Sequence, residues 1–154
     1  MSADPVAEIV LDHPGWEAVS GVSERCEAAV ASALSLIAGP RAGAAVILLT
    51  SDATLQSLNQ RFRGKDRPTN VLSFPAPESE NYPGDVALAF ETCQAEAATR
   101  GIALVDHAAH LAVHGVLHLN GFDHEGDAEA EEMEALEVAA LARLGIANPY
   151  GDKE

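Results

Sequence analysis

The chain has 154 residues, of which 47% are hydrophobic, and a formal net charge of −15 at pH 7. This length fits one domain, residues 1–154, with enough apolar side chains to form a core without disulfide bonds. The strong negative charge argues against general adhesion to nucleic acids or membranes, because contact with phosphate depends on Lys and Arg.

The sequence shows neither a targeting signal nor closely spaced cysteines. No basic-then-apolar segment begins the sequence, and no apolar run approaches the roughly 18 residues that span a bilayer. Cys26 and Cys93 are far apart and lack the paired spacing of zinc ligands. We therefore expect a soluble cytoplasmic protein with reduced thiols and no membrane or DNA partner.

The first third of the chain predicts two strands around one helix. Val6–Leu11 is a short β-rich run that ends at a turn containing Pro14 and Gly15. From Trp16 to Ile37, apolar residues recur at intervals of three and four, which predicts one long amphipathic helix with Trp16 in the core. Ala44–Thr50 is almost wholly apolar and indicates a central strand.

A basic segment follows this strand. Ser51 or Asp52 is expected to cap a helix that carries Leu55, Leu58 and Phe62 inward. Residues 64–70 have the composition of a turn and lead into a short strand, Val71–Phe74. Four of the nine basic residues alternate within seven positions here: Arg61, Arg63, Lys65 and Arg67. An acidic protein with one basic segment suggests a localised contact with an anion.

The next elements surround a second, apolar helix. Residues 75–83 form a proline-rich loop before a strand, Val86–Phe90. Thr92 is expected to cap a helix, Cys93–Arg100, that Gly101 ends. Leu104–Leu119 is apolar nearly all round, so it is predicted to be the buried central helix.

The last third is acidic. Residues 125–137 contain seven carboxylates, which we interpret as the solvated face of a helix, with a cation-binding or partner-binding face as the alternative. Its other face would pack apolar residues from Met133 to Leu144, Gly145 would end it, and a tail would begin at about residue 146. Four strands and four or five helices indicate an α+β fold, one small sheet packed against helices.

Three histidines in the apolar helix and just after it predict a metal site. His114 and His118 are four residues apart, so their side chains share one helical face. Gly121 can adopt a left-handed conformation and turn the chain, which would bring His124 to the same point. Three neutral nitrogens and an open position are typical of catalytic zinc.

Other readings of the histidines remain. His110, His114 and His118 are evenly spaced, but the outer pair is two turns apart, about 12 Å, which is too far to share one ion. His110 could instead support a ligand from behind. Asp123 could orient a histidine ring or cap the turn. Imidazoles also suit copper, nickel and iron.

The sequence contains three blocks in a fixed order: RGKDRPTNVLSFP (63–75), Gly84-Asp85 and HGVLHLNGFDH (114–124). Together they resemble the YbeY family of bacterial endoribonucleases and rRNA maturation factors, and the likeness runs from about residue 45 to residue 144. Two departures are Phe122, where tyrosine is common, and an unusually acidic carboxyl-terminal helix.

The resemblance implies a zinc-dependent, single-strand-selective endoribonuclease that acts in 16S rRNA 3′-end maturation and ribosome quality control. It implies that His114, His118 and His124 bind one zinc ion and that Arg63 is the functional arginine. It also implies a fold similar to the zinc metalloprotease catalytic domain, a small mixed four-stranded sheet with a central metal-bearing helix. Ribosomal proteins or a GTPase of ribosome assembly are the implied partners.

The residues favour RNA over peptide as substrate. Zinc lowers the pKa of a coordinated water from 15.7 to about 7, which points to hydrolysis. In peptidases with this helix a glutamate follows the first histidine as general base, but here that residue is Gly115. Arg63 could stabilise charge on a phosphate, or pair with Asp66 at the surface. Arg61, Lys65 and Arg67 could guide an RNA backbone.

Three hypotheses therefore stand: an RNA hydrolase, which we favour, a metalloendopeptidase, and a non-catalytic ribosome-associated factor with structural zinc. The acidic composition predicts weak affinity for naked RNA, so a protein partner is expected to direct the chain to its target.

Overall fold

The computed structural model describes residues 5–63, 69–123 and 125–150, with the side chain of Arg63 outside the description. Ten elements follow in chain order: β1 Ala7–Leu11, α1 Pro14–Glu17, α2 Val22–Leu34, β2 Ala45–Thr50, α3 Asp52–Arg63, β3 Val71–Pro75, β4 Gly84–Ala89, α4 Phe90–Arg100, α5 Leu104–Leu119 and α6 Asp127–Ala142. Among these residues no single helix is long and apolar enough to cross a membrane; α4 and α5 meet the criterion only as a pair bent by 117°.

The strands form one mixed sheet in the order β1-β2-β4-β3. β1 and β4 flank β2 in parallel, so Ile47 lies opposite Ile9 on one side and Val86 on the other. β3 pairs antiparallel with β4 and lies at the edge of this sheet. The small mixed sheet with helices confirms the predicted α+β architecture at that level of detail.

The side chains of β4 point alternately to the two faces of the sheet, and helices pack against both faces. Val86 and Leu88 join the larger core, which also contains buried residues of α2 and α5. Ala87 and Ala89 point the other way and pack with Leu55 of α3. The central helix α5 has the predicted bounds, and its apolar residues are buried nearly all round.

Gly115 allows α5 to lie very close to the sheet. A Cβ atom at this position would lie 2.5 Å from Val86 Cγ1, well inside van der Waals contact. The Ser73 hydroxyl of β3 donates a hydrogen bond to the Gly115 carbonyl over 3.3 Å. The middle of α5 is therefore held against both β3 and β4.

The prediction of one continuous helix from Trp16 to Ile37 is wrong. It is two helices, α1 and α2, and α2 begins after Gly21, whose φ of 73° is left-handed and breaks the helical path. Trp16 is fully buried, as predicted, and its indole Nε1 donates to the Thr50 carbonyl over 2.9 Å.

Two predictions around α3 and α4 need correction. Phe62 was predicted to point inward, but it is 63% exposed. Thr92 does not cap α4, which begins directly after β4 with Ala89 as its N-cap. The Thr92 hydroxyl and amide instead donate to the Asp52 carboxylate at the start of α3. Ser51 caps α3 as predicted, accepting from the Thr54 amide.

Both cysteines lie in the core. Cys26 and Cys93 are buried free thiols, as expected, and burial raises the pKa of Cys26 to about 12.

A tail was predicted to begin at about residue 146, and this starting point is wrong. Ile146 belongs to the core, and Tyr150 reaches a buried carboxylate of α6.

Candidate metal centre

His114 and His118 bring two ring nitrogens together on one face of α5. Their Nε2 atoms are 3.1 Å apart, and their rings meet nearly at right angles, with centroids 4.6 Å apart. Two nitrogens at about 2.0–2.1 Å from a tetrahedral zinc ion would be roughly 3.3 Å apart. The pair therefore has the spacing that the sequence predicts for two ligands of one ion.

The other nitrogen of each ring is fixed by an acceptor. His114 Nδ1 donates to Glu137 Oε2 over 2.9 Å, and His118 Nδ1 donates to the Phe122 carbonyl over 2.9 Å. A carbonyl or carboxylate oxygen only accepts, so each Nδ1 carries the hydrogen. In the neutral rings, both Nε2 atoms then present lone pairs toward the same point, which suits a cation between them.

Glu137 is the buried anion behind this pair. It is 1% exposed and also accepts hydrogen bonds from His110 Nε2 at 2.7 Å and from the Tyr150 hydroxyl. Burial alone would raise its pKa, but the hydrogen bonds from His110, His114 and Tyr150 outweigh it, and the pKa of Glu137 is about 2. An ionised carboxylate thus joins α6 and the chain end to α5.

Glu137 was predicted to lie on the solvated face of α6, and that prediction is wrong. Glu129, Glu131 and Glu132 are exposed, as predicted, but Glu137 is not. Its spacing contained the information, because Met133 and Leu141, four residues to either side, are both buried. A carboxylate in line with two core residues needs buried donors, and the histidines of α5 supply them.

His110 lies on the side of His114 that faces Glu137 and away from the Nε2 pair. It bonds the same carboxylate as His114, at the other oxygen, and is 8% exposed. Asp123 lines the cavity in front of the pair.

The bend after α5 forms as expected. Gly121 has a φ of 94°, and the Phe122 amide donates back to the Leu117 carbonyl over 3.0 Å. His124, the third predicted ligand, lies outside the described residues. Within residues 5–63, 69–123 and 125–150, no three His, Cys, Asp or Glu side chains are arranged to hold a metal ion.

The basic segment is described only in part. Arg61 is exposed near the end of α3, with its guanidinium carbon 5.4 Å from the centre of the Phe62 ring. Arg63 is the last residue of α3, and its side chain is not described. Lys65 and Arg67 lie outside the described ranges, as does Asp66.

A cavity of about 690 Å³ opens in front of the two histidines. The edge strand β3 forms one wall, and the bend after α5 forms another. Its lining includes polar groups at Thr69, Asn70, Ser73, Asp123 and Glu125. An extended polar polymer could lie along this wall and reach the histidine pair.

Comparison with known proteins decides the family. A family model described as Endoribonuclease YbeY matches residues 19–145. The chain belongs to the YbeY family. The Endoribonuclease YbeY of Paramagnetospirillum magneticum is 50% identical, covering 95% of this chain and 97% of the relative. That of Maricaulis maris is 46% identical, covering 96% of this chain and 92% of the relative.

A solved structure has a similar fold. The solution structure of a Thermotoga maritima protein superposes with a TM-score of 0.54 at 25% identity, and it covers 96% of this chain and 97% of that chain. The family model and the named relatives confirm the resemblance inferred from the three sequence blocks. In this YbeY chain, the histidine pair and the cavity lie within the matched range.

Proposed function

We propose that this chain is an endoribonuclease that hydrolyses phosphodiester bonds of single-stranded RNA and acts in rRNA processing. Membership of the YbeY family supports the reaction class, since the relatives carry that name. The observation that carries the site is the pair of Nε2 atoms, 3.1 Å apart, at the cavity of about 690 Å³.

His114, His118 and His124 would hold one zinc ion. The described pair fits the ion in spacing and in the position of its hydrogens, and the sequence supplies the third imidazole. When bound, zinc polarises a phosphoryl oxygen and lowers the pKa of water. A metal-bearing helix against a small mixed sheet is also what a zincin-like fold would have, and we include that likeness in the proposal.

The chain's own residues would position the reaction. Glu137 and the Phe122 carbonyl hold the two rings, so that the Nε2 atoms face the cavity without rearrangement. The polar wall of β3 would orient the RNA strand. Arg63 at the end of α3 is our candidate for stabilising charge that develops on the phosphate, with Arg61, Lys65 and Arg67 guiding the backbone.

A metalloendopeptidase is disfavoured by the environment of Gly115. A Cβ atom there would lie 2.5 Å from Cγ1 of Val86 and 3.2 Å from the Ser73 hydroxyl oxygen. The glutamate that acts as general base in peptidases would clash with the Val86 side chain at this position. The remaining alternative is a non-catalytic ribosome-assembly factor with structural zinc.

The cellular role in this proposal is 16S rRNA 3′-end maturation and ribosome quality control. The net charge of −15 disfavours contact with naked RNA. We therefore expect ribosomal proteins or a ribosome-assembly GTPase to bring it to its substrate. Tight, salt-insensitive binding of naked RNA would contradict this part of the proposal.

The test combines metal analysis with RNA cleavage. The purified protein should contain about one zinc ion per chain and cleave single-stranded RNA more readily than duplex; a chelator should abolish cleavage and zinc should restore it. His114→Ala and His118→Ala should lose both metal and cleavage, whereas His13→Gln, outside the cavity, should retain both. A chelator-resistant cleavage, or full zinc content in His118→Ala, would refute the proposed centre. Cleavage of an unfolded protein substrate but not of RNA would revive the peptidase alternative.

A further inference from the structure

Phe62 is exposed at the end of α3. At 63% it is the most exposed large hydrophobic residue in the described ranges, where the others that are exposed reach only 37–38%. A single exposed apolar residue is ordinary on a protein surface, so a function for Phe62 depends on its neighbours. Its ring presents apolar area that a ligand could cover.

The surroundings of Phe62 are aromatic and cationic. The Phe74 ring of β3 meets it edge to face, with centroids 5.6 Å apart and an interplanar angle of 63°. The Arg61 guanidinium carbon lies 5.4 Å from the centre of the Phe62 ring. Exposed aromatic rings next to an arginine are the elements on which proteins stack the bases of single-stranded nucleic acid.

The edge strand β3 connects this aromatic pair to the candidate metal centre. Ser73 and Pro75, the neighbours of Phe74 in β3, both line the cavity in front of His114 and His118. Side chains alternate along a strand, so Phe74 faces α3 while Ser73 and Pro75 face the cavity. β3 is the edge strand of the sheet, so only this strand separates the Phe62–Phe74 ring pair from the cavity in front of the histidines.

We propose that Phe62, supported by Phe74 and Arg61, is a stacking site for an unpaired base of the RNA strand whose backbone passes through the cavity. This inference rests on the proposed function and names how the strand is selected. The Phe62 ring lies beside the Arg61 guanidinium, at the start of the basic segment that runs from Arg61 to Arg67. A flat apolar face next to several cations fits a base attached to an anionic backbone better than it fits an uncharged apolar peptide. A second copy of this chain is disfavoured because each copy carries a net charge of −15.

The site also accounts physically for a preference for single strands. In a duplex each base is stacked between its neighbours and paired, so its face is not available to a protein ring. An unpaired base can turn its face onto Phe62 while the adjacent phosphate remains over β3. Phe62 would therefore contribute to binding of single strands and leave binding of duplex unchanged.

The experiment measures binding separately from cleavage. Zinc-loaded protein is titrated, at low salt, into a fluorescein-labelled 2′-O-methyl phosphorothioate oligoadenylate, which resists cleavage, and anisotropy gives the Kd. Phe62→Ala and Phe62→Leu should both weaken binding about 5- to 100-fold, the range expected for one stacked base. Phe62→Trp should bind as well as the unmodified chain, since it restores the ring. Ile102→Ala, which changes another exposed apolar residue far along the chain, should have no effect.

Several results would overturn the inference. They are wild-type affinity in Phe62→Ala, equal affinity of Phe62→Leu and Phe62→Trp, an equal loss of duplex binding, or no oligonucleotide binding by the unmodified chain. Thermal unfolding of each variant shows that the fold is retained. A chain that binds through Phe62 but never cleaves RNA would defeat the proposed function and leave the stacking site standing. A chain that cleaves RNA with no dependence on Phe62 would do the reverse.

Discussion

Glu137 Oε2 lies 2.9 Å from His114 Nδ1, across 23 residues of sequence. This bond joins the acidic helix α6 to the helix that carries the candidate metal ligands. The other carboxylate oxygen of Glu137, Oε1, accepts a hydrogen bond from His110 Nε2. One buried anion therefore determines which nitrogen carries the hydrogen in two imidazole rings. The orientation of His114 toward the cavity therefore depends on a residue far from it in the chain.

Replacing this carboxylate should weaken metal binding. Glu137→Gln keeps the shape but exchanges one acceptor oxygen for an NH₂ group, which cannot accept from a ring N–H. We expect zinc affinity to fall about 10- to 100-fold, as for other carboxylates behind metal-bound histidines, when measured by competition with a chromophoric chelator. Glu131→Gln, on the exposed face of the same helix, is the matched control. Equal affinities in the two variants would show that Glu137 does not position His114.

The hydroxyl of Tyr150 should stabilise the buried Glu137 anion from the chain end. Tyr150→Phe removes one donor, and a hydrogen bond to a charged group contributes about 1.5–3 kcal/mol. We expect the free energy of unfolding in urea to fall by about 1–2 kcal/mol, because Tyr150 is only partly buried. Tyr82→Phe removes a similar bond to Asp85 over 2.8 Å, but the Asp85 carboxylate is only partly buried, whereas Glu137 is 1% exposed, so the change in stability should be smaller. A larger effect of Tyr82→Phe would contradict the burial argument.

A side chain at Gly115 should disturb the contact between α5 and the sheet. Gly115→Ala places a methyl group 2.5 Å from Val86 Cγ1, and overpacking of this kind costs about 1–3 kcal/mol. The double variant Gly115→Ala with Val86→Ala should recover part of that loss, because the clashing methyl groups are gone. Urea unfolding of the two single variants and the double variant measures the coupling. Simple additivity of the single effects would mean that the two residues are not in contact.

His107 should make stability depend on pH. Burial lowers its pKa from the usual 6.5, although the Glu96 carboxylate, 2.8 Å from its Nε2, opposes this. The unfolded chain therefore takes up a proton first as the pH falls through 6.5, and stability is lost until the pH reaches the lower pKa of the folded state. His107→Gln removes this contribution, so its loss of unfolding free energy between pH 7.5 and pH 5.5 should be smaller than that of the unmodified chain. An identical pH dependence in both, with His13→Gln as a reference, would refute the assignment.

Several features followed from local pattern alone. A helix from about Leu104 to Leu119 was predicted from its apolar residues, and α5 spans Leu104–Leu119. The four-residue spacing of His114 and His118 required that their rings meet on one face, as they do. The turn at Gly121 followed from the residue type that a left-handed φ favours.

Other features depended on contacts between distant segments. Phe62 is 63% exposed, whereas Leu55 and Leu58 of the same helix pack in the cluster between α3 and the sheet. Glu137 is buried because His110 and His114, on another helix, satisfy its oxygens. Periodicity records which face of a helix is apolar, but the burial of a charge is decided by partners that no local window contains. For this chain, then, the residue order was enough for the histidine-bearing helix, and packing alone selected the anion that orients it.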